Sequence, residues 1–317
     1  MALGAAVWPL EGVAQPTSRV PRIGFLGLGQ AADWRDQIEA LRMGLKRFGY
    51  LEGRNLLVEF RWAADVPELR ELAEQLSRLN VDIIIAPAST QVEPALRATK
   101  TIPIVFAQHA DPVGIGHVSS LARPGGNVTG VSMVLTEMSA KGLEILAEAI
   151  PGPPRVGVMW NSTTPTHVRV VSVLEETAAR KGITLVGAPI RTADDFVRAF
   201  DLMVSEKVNS VLVPSSPVTN TRRRALAELG IKYQLPTMFA NRANVEAGGL
   251  MSYGPNFNDM YRYVAFYIDK ILKGAKPGDL PVEQASKYEF VLNIATARAI
   301  RIELPSILVA RADEVIE

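Results

Sequence analysis

The 317-residue chain contains no cysteine. That excludes disulfides, thiolate metal sites, a cysteine nucleophile and a lipidated cysteine within it. Histidine is almost as scarce: there are three, His109, His117 and His167, with neither HExxH spacing nor a partner set that would hold a metal. Neither charge sign dominates, with 34 Lys plus Arg against 33 Asp plus Glu, so there is no electrostatic case for nucleic acid or an anionic membrane surface. The Arg222–Arg224 triplet reads as a solvated helix face. No run approaches the roughly 18 apolar residues needed to span a bilayer. GxSxG and GxxxxGK[ST] motifs are missing too, and no catalytic constellation or cofactor motif of any strength replaces them.

What is present is regular alternation. Thr101 to Ser132 carries the clearest unit: a short apolar run ending at Gln108-His109-Ala110-Asp111-Pro112, a brief helical segment at His117 to Leu121, a turn at Arg123–Asn127, and a second β-rich run from Val128. A buried strand ending in polar side chains, then a helix and another strand, is how an open α/β sheet builds one wall of a crevice. Before it come strands at Arg22–Leu28, Asn55–Trp62 and Val81–Ala86, separated by amphipathic helices. The Ile83-Ile84-Ile85 core reads as buried on both faces, the mark of a parallel sheet. After it the series restarts, with strands at Arg155–Trp160, Ile183–Val186, Ser210–Val213, Thr237–Ala240 and Gly249–Tyr253.

The expected fold is therefore α/β: two doubly wound parallel-sheet lobes. The tail adds a helix at Asn258–Leu272, a strand at Tyr288–Leu292 and a last helix, which neither lobe needs at its own end. They make sense as pieces crossing back, so that several strands form a hinge. The expected division is residues 19–130 plus 254–282 for lobe one and 131–253 plus 283–317 for lobe two. Residues 1–18, rich in Ala, Gly, Val and Leu and without Lys or Arg, read as the back half of an export signal whose basic start lies upstream.

Several segments together resemble the substrate-binding proteins of one ABC-transporter class, over nearly all of Pro21 to Glu317. They are Gly44-Leu45 with Gly49-Tyr50-Leu51-Glu52-Gly53-Arg54-Asn55, Ile102–Phe106, Asp111-Pro112-Val113, Arg123–Gly130, Ala247–Gly254 and Ala310–Glu317. The resemblance implies a type I periplasmic-binding fold and a soluble, exported, periplasmic monomer without a lipid anchor. It also implies a small-molecule ligand, amino acids and aromatic ones among the possibilities, and the membrane subunits of an ABC permease as partners. It implies neither an enzyme nor a cofactor.

In such folds the ligand lies outside the carboxyl ends of strands, here between two lobes. That rule selects Gln30, Trp34, Ser89, Thr90, Gln108, His109 and Asp111 from lobe one and Asn161, Thr164, Ser215, Ser216 and Asn241 from lobe two. Ser89 and Thr90 open a helix, whose N-terminus favours an anionic group. Asp111 is the candidate for an ammonium, and Trp34 for stacking on a ring. Two other readings remain open from the residues. Gly27-Leu28-Gly29 could begin a dinucleotide fingerprint of an NAD(P)-linked oxidoreductase, though Asp33, the expected helix cap, lies beyond it and Arg61-Trp62 stands where an acid is wanted. The fold is also that of ligand-sensing domains of regulators.

Overall fold

A computed structural model describes residues 19–317; the expected export signal falls on residues 1–18, outside the described residues. The first lobe is built on β1 (Arg22–Leu28), α1 (Arg35–Arg47), β2 (Leu57–Ala63), α2 (Leu69–Arg78), β3 (Ile83–Ile85), α3 (Ser89–Ala98), β4 (Ile104–His109) and β5 (Val128–Ser132). The second begins with α4 (Leu135–Ala149), β6 (Arg155–Asn161), α5 (His167–Lys181), β7 (Thr184–Ile190), α6 (Phe196–Ser205) and β8 (Ser210–Val213). It continues through α7 (Pro217–Thr221), α8 (Arg223–Lys232), β9 (Thr237–Phe239), α9 (Arg242–Glu246) and β10 (Met251–Pro255). The tail comprises α10 (Phe257–Leu272), β11 (Glu283–Gln284), β12 (Tyr288–Asn293), α11 (Ile294–Ala299), α12 (Ser306–Ala310) and β13 (Glu314–Ile316).

The strands form a six-stranded sheet in the order β11-β5-β4-β3-β1-β2 and a seven-stranded one in the order β13-β12-β10-β9-β8-β6-β7. All pairings are parallel except β10 with β12, which the returning chain enters from the opposite direction. Strands β3, β4 and β8 are buried at every position, and their apolar runs, Ile83–Ile85, Ile104–Ala107 and Val211–Val213, are those of strands covered by helices on both faces.

The chain passes between the sheets three times: from β5 to α4, from β10 to α10, and from β11 to β12. Helix α10 packs along α1 on the first lobe, and β12 joins the second sheet beside β10. Two boundaries differ from those read in the sequence. Glu283–Gln284 pairs with Val131–Ser132 of β5, so this short strand belongs to the first sheet and the third crossing lies at residues 285–287. Likewise β5 runs to Ser132 before the first crossing, which passes through Val134 at φ 52°. A β-branched residue in the left-handed region is strained, and tertiary contacts must hold it there. The brief helix expected at His117–Leu121 is instead a run of bends, opened by His117, whose side chain is tied to His109 of β4 and Glu93 of α3.

Candidate functional site

The carboxyl ends of β1, β3, β4, β6, β8 and β9 face one another across a cleft between the lobes. Its first-lobe wall includes Trp34, Ala88, Ser89, Thr90, Gln108 and Ala110. Thr164, Ser215, Ser216, Asn220 and Asn241 form much of the opposite wall, while Met133 and Phe257, beside two of the crossings, also line it. Each position has a local cause. Helix α3 starts directly after β3, so Ser89 and Thr90 occupy its first turn at the strand end. Among the described residues their main-chain N–H groups have no protein acceptor, as expected for the first turn of a helix.

Gln108 is 8% exposed and its Oε1 has no hydrogen-bond partner among the described residues, an uncommon state for a buried acceptor. Trp34 is both core and wall. Its indole N–H donates to the Leu28 carbonyl at 2.9 Å and its ring packs on Phe25, Trp62 and Tyr261, leaving an edge on the cleft.

In the second lobe the polar side chains are tied locally. Ser216 and Asn241 cap α7 and α9, accepting from the Thr219 and Ala243 N–H groups. Ser215 Oγ accepts from the Asn220 amide at 2.9 Å. His167 joins two cleft loops: its Nδ1 accepts from the Asn161 N–H and its Nε2 donates to the Ser215 carbonyl. Burial pushes this imidazole down to about 4, so it is neutral near pH 7.

Trp34, Ser89, Thr90, Gln108, Thr164, Ser215, Ser216 and Asn241 thus come together on the cleft, and four other sequence candidates lie elsewhere. Gln30 is exposed, and its N–H is bound by Asp33 Oδ2 in the 3-10 turn that precedes α1. His109 is fully buried, because β4 runs two residues beyond its apolar segment and carries this ring inward onto Phe106. Asp111 is bound by the Gly114 N–H at 2.8 Å and, across the cleft opening, by Arg169 of α5 at 3.1 Å. Asn161 folds back onto the Thr163 N–H and hydroxyl and serves the turn. The acids lining the cleft are Asp33 and Asp36, with Arg223 as the cation. Sequence reading took Asp33 for a cap alone; its place one turn past β1 was the available signal, and Asp36 follows it on the same helix start.

The Gly27-x-Gly29 loop makes no cradle for a pyrophosphate. A side chain at Gly27 would collide with the Trp62 ring, and Gly29 approaches Thr221 of the other lobe. These glycines serve packing. Among the described residues there is no group of three or more His, Asp or Glu able to hold a metal, and no helix long and apolar enough to cross a membrane.

A profile described as "ABC transporter substrate binding protein" matches residues 33–316. The chain belongs to that family. The chain is also similar to a tyrosine-binding protein of Clostridioides difficile, 26% identical over 253 residues, covering 80% of this chain and 72% of the relative. The crystal structure of a Streptococcus pneumoniae ABC domain in complex with L-Trp is 25% identical, covers 94% of this chain and 100% of that one, and superposes with TM-score 0.87. A ligand-free, open substrate-binding protein of Clostridium difficile, with the same 25% identity and coverage of 94% and 99%, gives 0.69. In this ABC substrate-binding protein the lobes are drawn together, with Asp111 and Arg169 in contact across the opening. More distant matches show that the fold is the type I periplasmic-binding fold.

Proposed function

We propose that this substrate-binding protein captures an amino acid, an aromatic one by preference, in the interlobe cleft and presents the closed form to the membrane subunits of an ABC importer after export to the periplasm. The observation that carries the reading is the convergence on one cleft of opposite polar demands. Free N–H groups at the start of α3 suit a carboxylate. The unpartnered Gln108 Oε1 and the carboxylates of Asp33 and Asp36 suit an ammonium. Trp34 and Phe257 supply apolar surface for a side chain. The tyrosine-binding relative and the relative crystallised with L-Trp support this chemistry.

No catalytic step is part of this function. Closure needs only a ligand that prefers the closed state; moving an equilibrium from 1:99 to 99:1 takes about 5.5 kcal/mol. A few charge-assisted hydrogen bonds at about 1.5–3 kcal/mol each and one buried ring would supply it. Calorimetry and thermal-shift measurements with tyrosine, tryptophan, phenylalanine, leucine, a sugar and NAD form the test. Saturable binding of one or more aromatic amino acids is expected. Binding of the sugar or the dinucleotide with no response to any amino acid would refute the reading.

A further inference from the structure

Ser89, 4% exposed on the cleft wall, is the inner end of a hydrogen-bonded chain that leads through the first lobe to the surface. Its Oγ lies 3.2 Å from His109 Nδ1, His109 Nε2 lies 2.8 Å from His117 Nδ1, and His117 Nε2 lies 3.0 Å from Glu93 Oε2. Ser89 and Glu93 are one turn apart on α3, so the helix brackets the chain and the two imidazoles bridge its ends.

The protons along this chain are assigned from its two ends. The main-chain N–H of Asp111 donates to His109 Nδ1 at 3.2 Å and has no other acceptor among the described residues, so Nδ1 is bare and Nε2 carries the proton. At the surface a carboxylate can only accept, so His117 carries its proton on Nε2 and its Nδ1 is bare. The two assignments are independent, and they meet as one donor and one acceptor. Burial keeps both rings neutral, holding His109 well below the usual histidine range and lowering His117 against the pull of Glu93. Arg97, 2.8 Å from Glu93, keeps that carboxylate charged, while the Asp111 carboxylate is turned away onto Gly114 and Arg169.

The consequence falls on Ser89. Its O–H shares the single lone pair of the bare His109 Nδ1 with the Asp111 N–H, each at 3.2 Å, and the Ala110 N–H donates to its Oγ at 3.2 Å. A hydroxyl has one proton and two lone pairs, so one lone pair remains. We propose that the Asp111 main chain, His109, His117 and Glu93 lock the Ser89 hydroxyl as an acceptor, making it a specificity determinant for a ligand N–H donor: the ammonium of an amino acid. This rests on the amino-acid reading above. The ammonium and carboxylate of an α-amino acid share one carbon, so an acceptor beside the free N–H groups of α3 suits both poles. An unlocked hydroxyl would turn its proton to a carboxylate instead and would not discriminate. Ser89 is the contact, and His109 and His117 are positioning residues.

The test has a spectroscopic arm that needs no ligand. Imidazole 15N NMR of the full chain should show all three histidines as Nε2–H tautomers, with His167, fixed by the Asn161 N–H at 3.0 Å and the Ser215 carbonyl at 2.9 Å, as internal reference. An Nδ1–H or doubly protonated His109 near pH 7 would overturn the lock. Calorimetry then compares L-tyrosine with 3-(4-hydroxyphenyl)propanoate, the same molecule without its ammonium. Ser89→Ala should weaken tyrosine roughly tenfold to a hundredfold and leave the propanoate within about twofold; equal losses refute the assignment. His117→Gln, whose amide can accept from His109 and donate to Glu93, should keep the preference for tyrosine, and His117→Phe should lose it. If both variants behave alike, the histidines do not position Ser89. Should the wild-type chain bind no amino acid, that reading and the ammonium assignment fall together, while the lock still stands or falls by the spectrum.

Discussion

Replacing Arg169 by alanine removes a contact that exists only when the lobes are together. Its guanidinium meets Asp111 at 3.1 Å, with side-chain exposures of 64% for Arg169 and 21% for Asp111. A pair so exposed contributes about 0.2–1 kcal/mol. Because Asp111 follows β4 of the first lobe and Arg169 lies on α5 of the second, all of that energy acts on closure. It corresponds to a shift of roughly 1.4- to 5-fold in the open–closed equilibrium. If only the closed form holds ligand tightly and the unliganded protein is mostly open, the apparent affinity falls by the same factor. Calorimetry on Arg169→Ala should read that loss, and small-angle scattering of the unliganded protein should show no decrease in the population of extended particles. Raising ionic strength from about 0.01 M to about 1 M shrinks the Debye length from about 30 Å to about 3 Å, so wild type should approach the variant at high salt. Asp111→Ala should match Arg169→Ala in affinity, with an added loss of stability because the Gly114 N–H also loses its acceptor. A tenfold or greater loss in Asp111→Ala, confined to ammonium-bearing ligands and absent in Arg169→Ala, would refute the latch and return Asp111 to the ligand.

Two predictions concern stability. Gly44 sits where α1 meets α10, and a Cβ there would lie 2.5 Å from the Arg262 carbonyl, so Gly44→Ala should cost about 1–3 kcal/mol, read as a lower urea midpoint with unchanged slope. His167, held down to about 4 by burial, binds its proton more readily in the unfolded chain. The native state therefore keeps its full advantage above the unfolded value near 6.5 and loses it as pH falls towards about 4, a contribution of about 3 kcal/mol. Urea melts at pH 7 and pH 4.5 should show the loss, and it should shrink in His167→Gln compared at the same two pH values.

The lobes were legible because parallel strands buried on both faces have no polar alternation to hide. Ile83-Ile84-Ile85 and Ser210-Val211-Leu212-Val213 mark themselves, and the punctuation after each places the cleft. The tail was legible for a related reason: α10 carries an apolar stripe that its own lobe had no use for, and it packs on α1. What escaped were the elements too short or too polar to show a period, such as β11 with its two exposed residues and β13 at the chain end. Their strand character comes from a neighbour's edge, not from their own sequence.

The same distinction runs through the site. The rule that ligands gather at strand ends picks positions along the chain, and it found Ser89, Gln108, Ser215 and Asn241 on the cleft. It does not give the direction of a side chain. Gln108 and His109 are adjacent in sequence and equally polar in prospect, but Gln108 is among the residues lining the cleft and His109 is buried against Phe106 and His117. Both lie within β4, where adjacent side chains point to opposite faces, and the pairing with β5 turns irregular between Phe106 and His109. Asp111 is harder to place from sequence, since its partner is 58 residues away on the other lobe. An ammonium-seeking acid and a latch acid look alike until both lobes are in place. What distinguishes a latch acid is that its charge is already answered by protein, as Arg169 answers Asp111, whereas among the described residues the neutral amide oxygen of Gln108 has no partner.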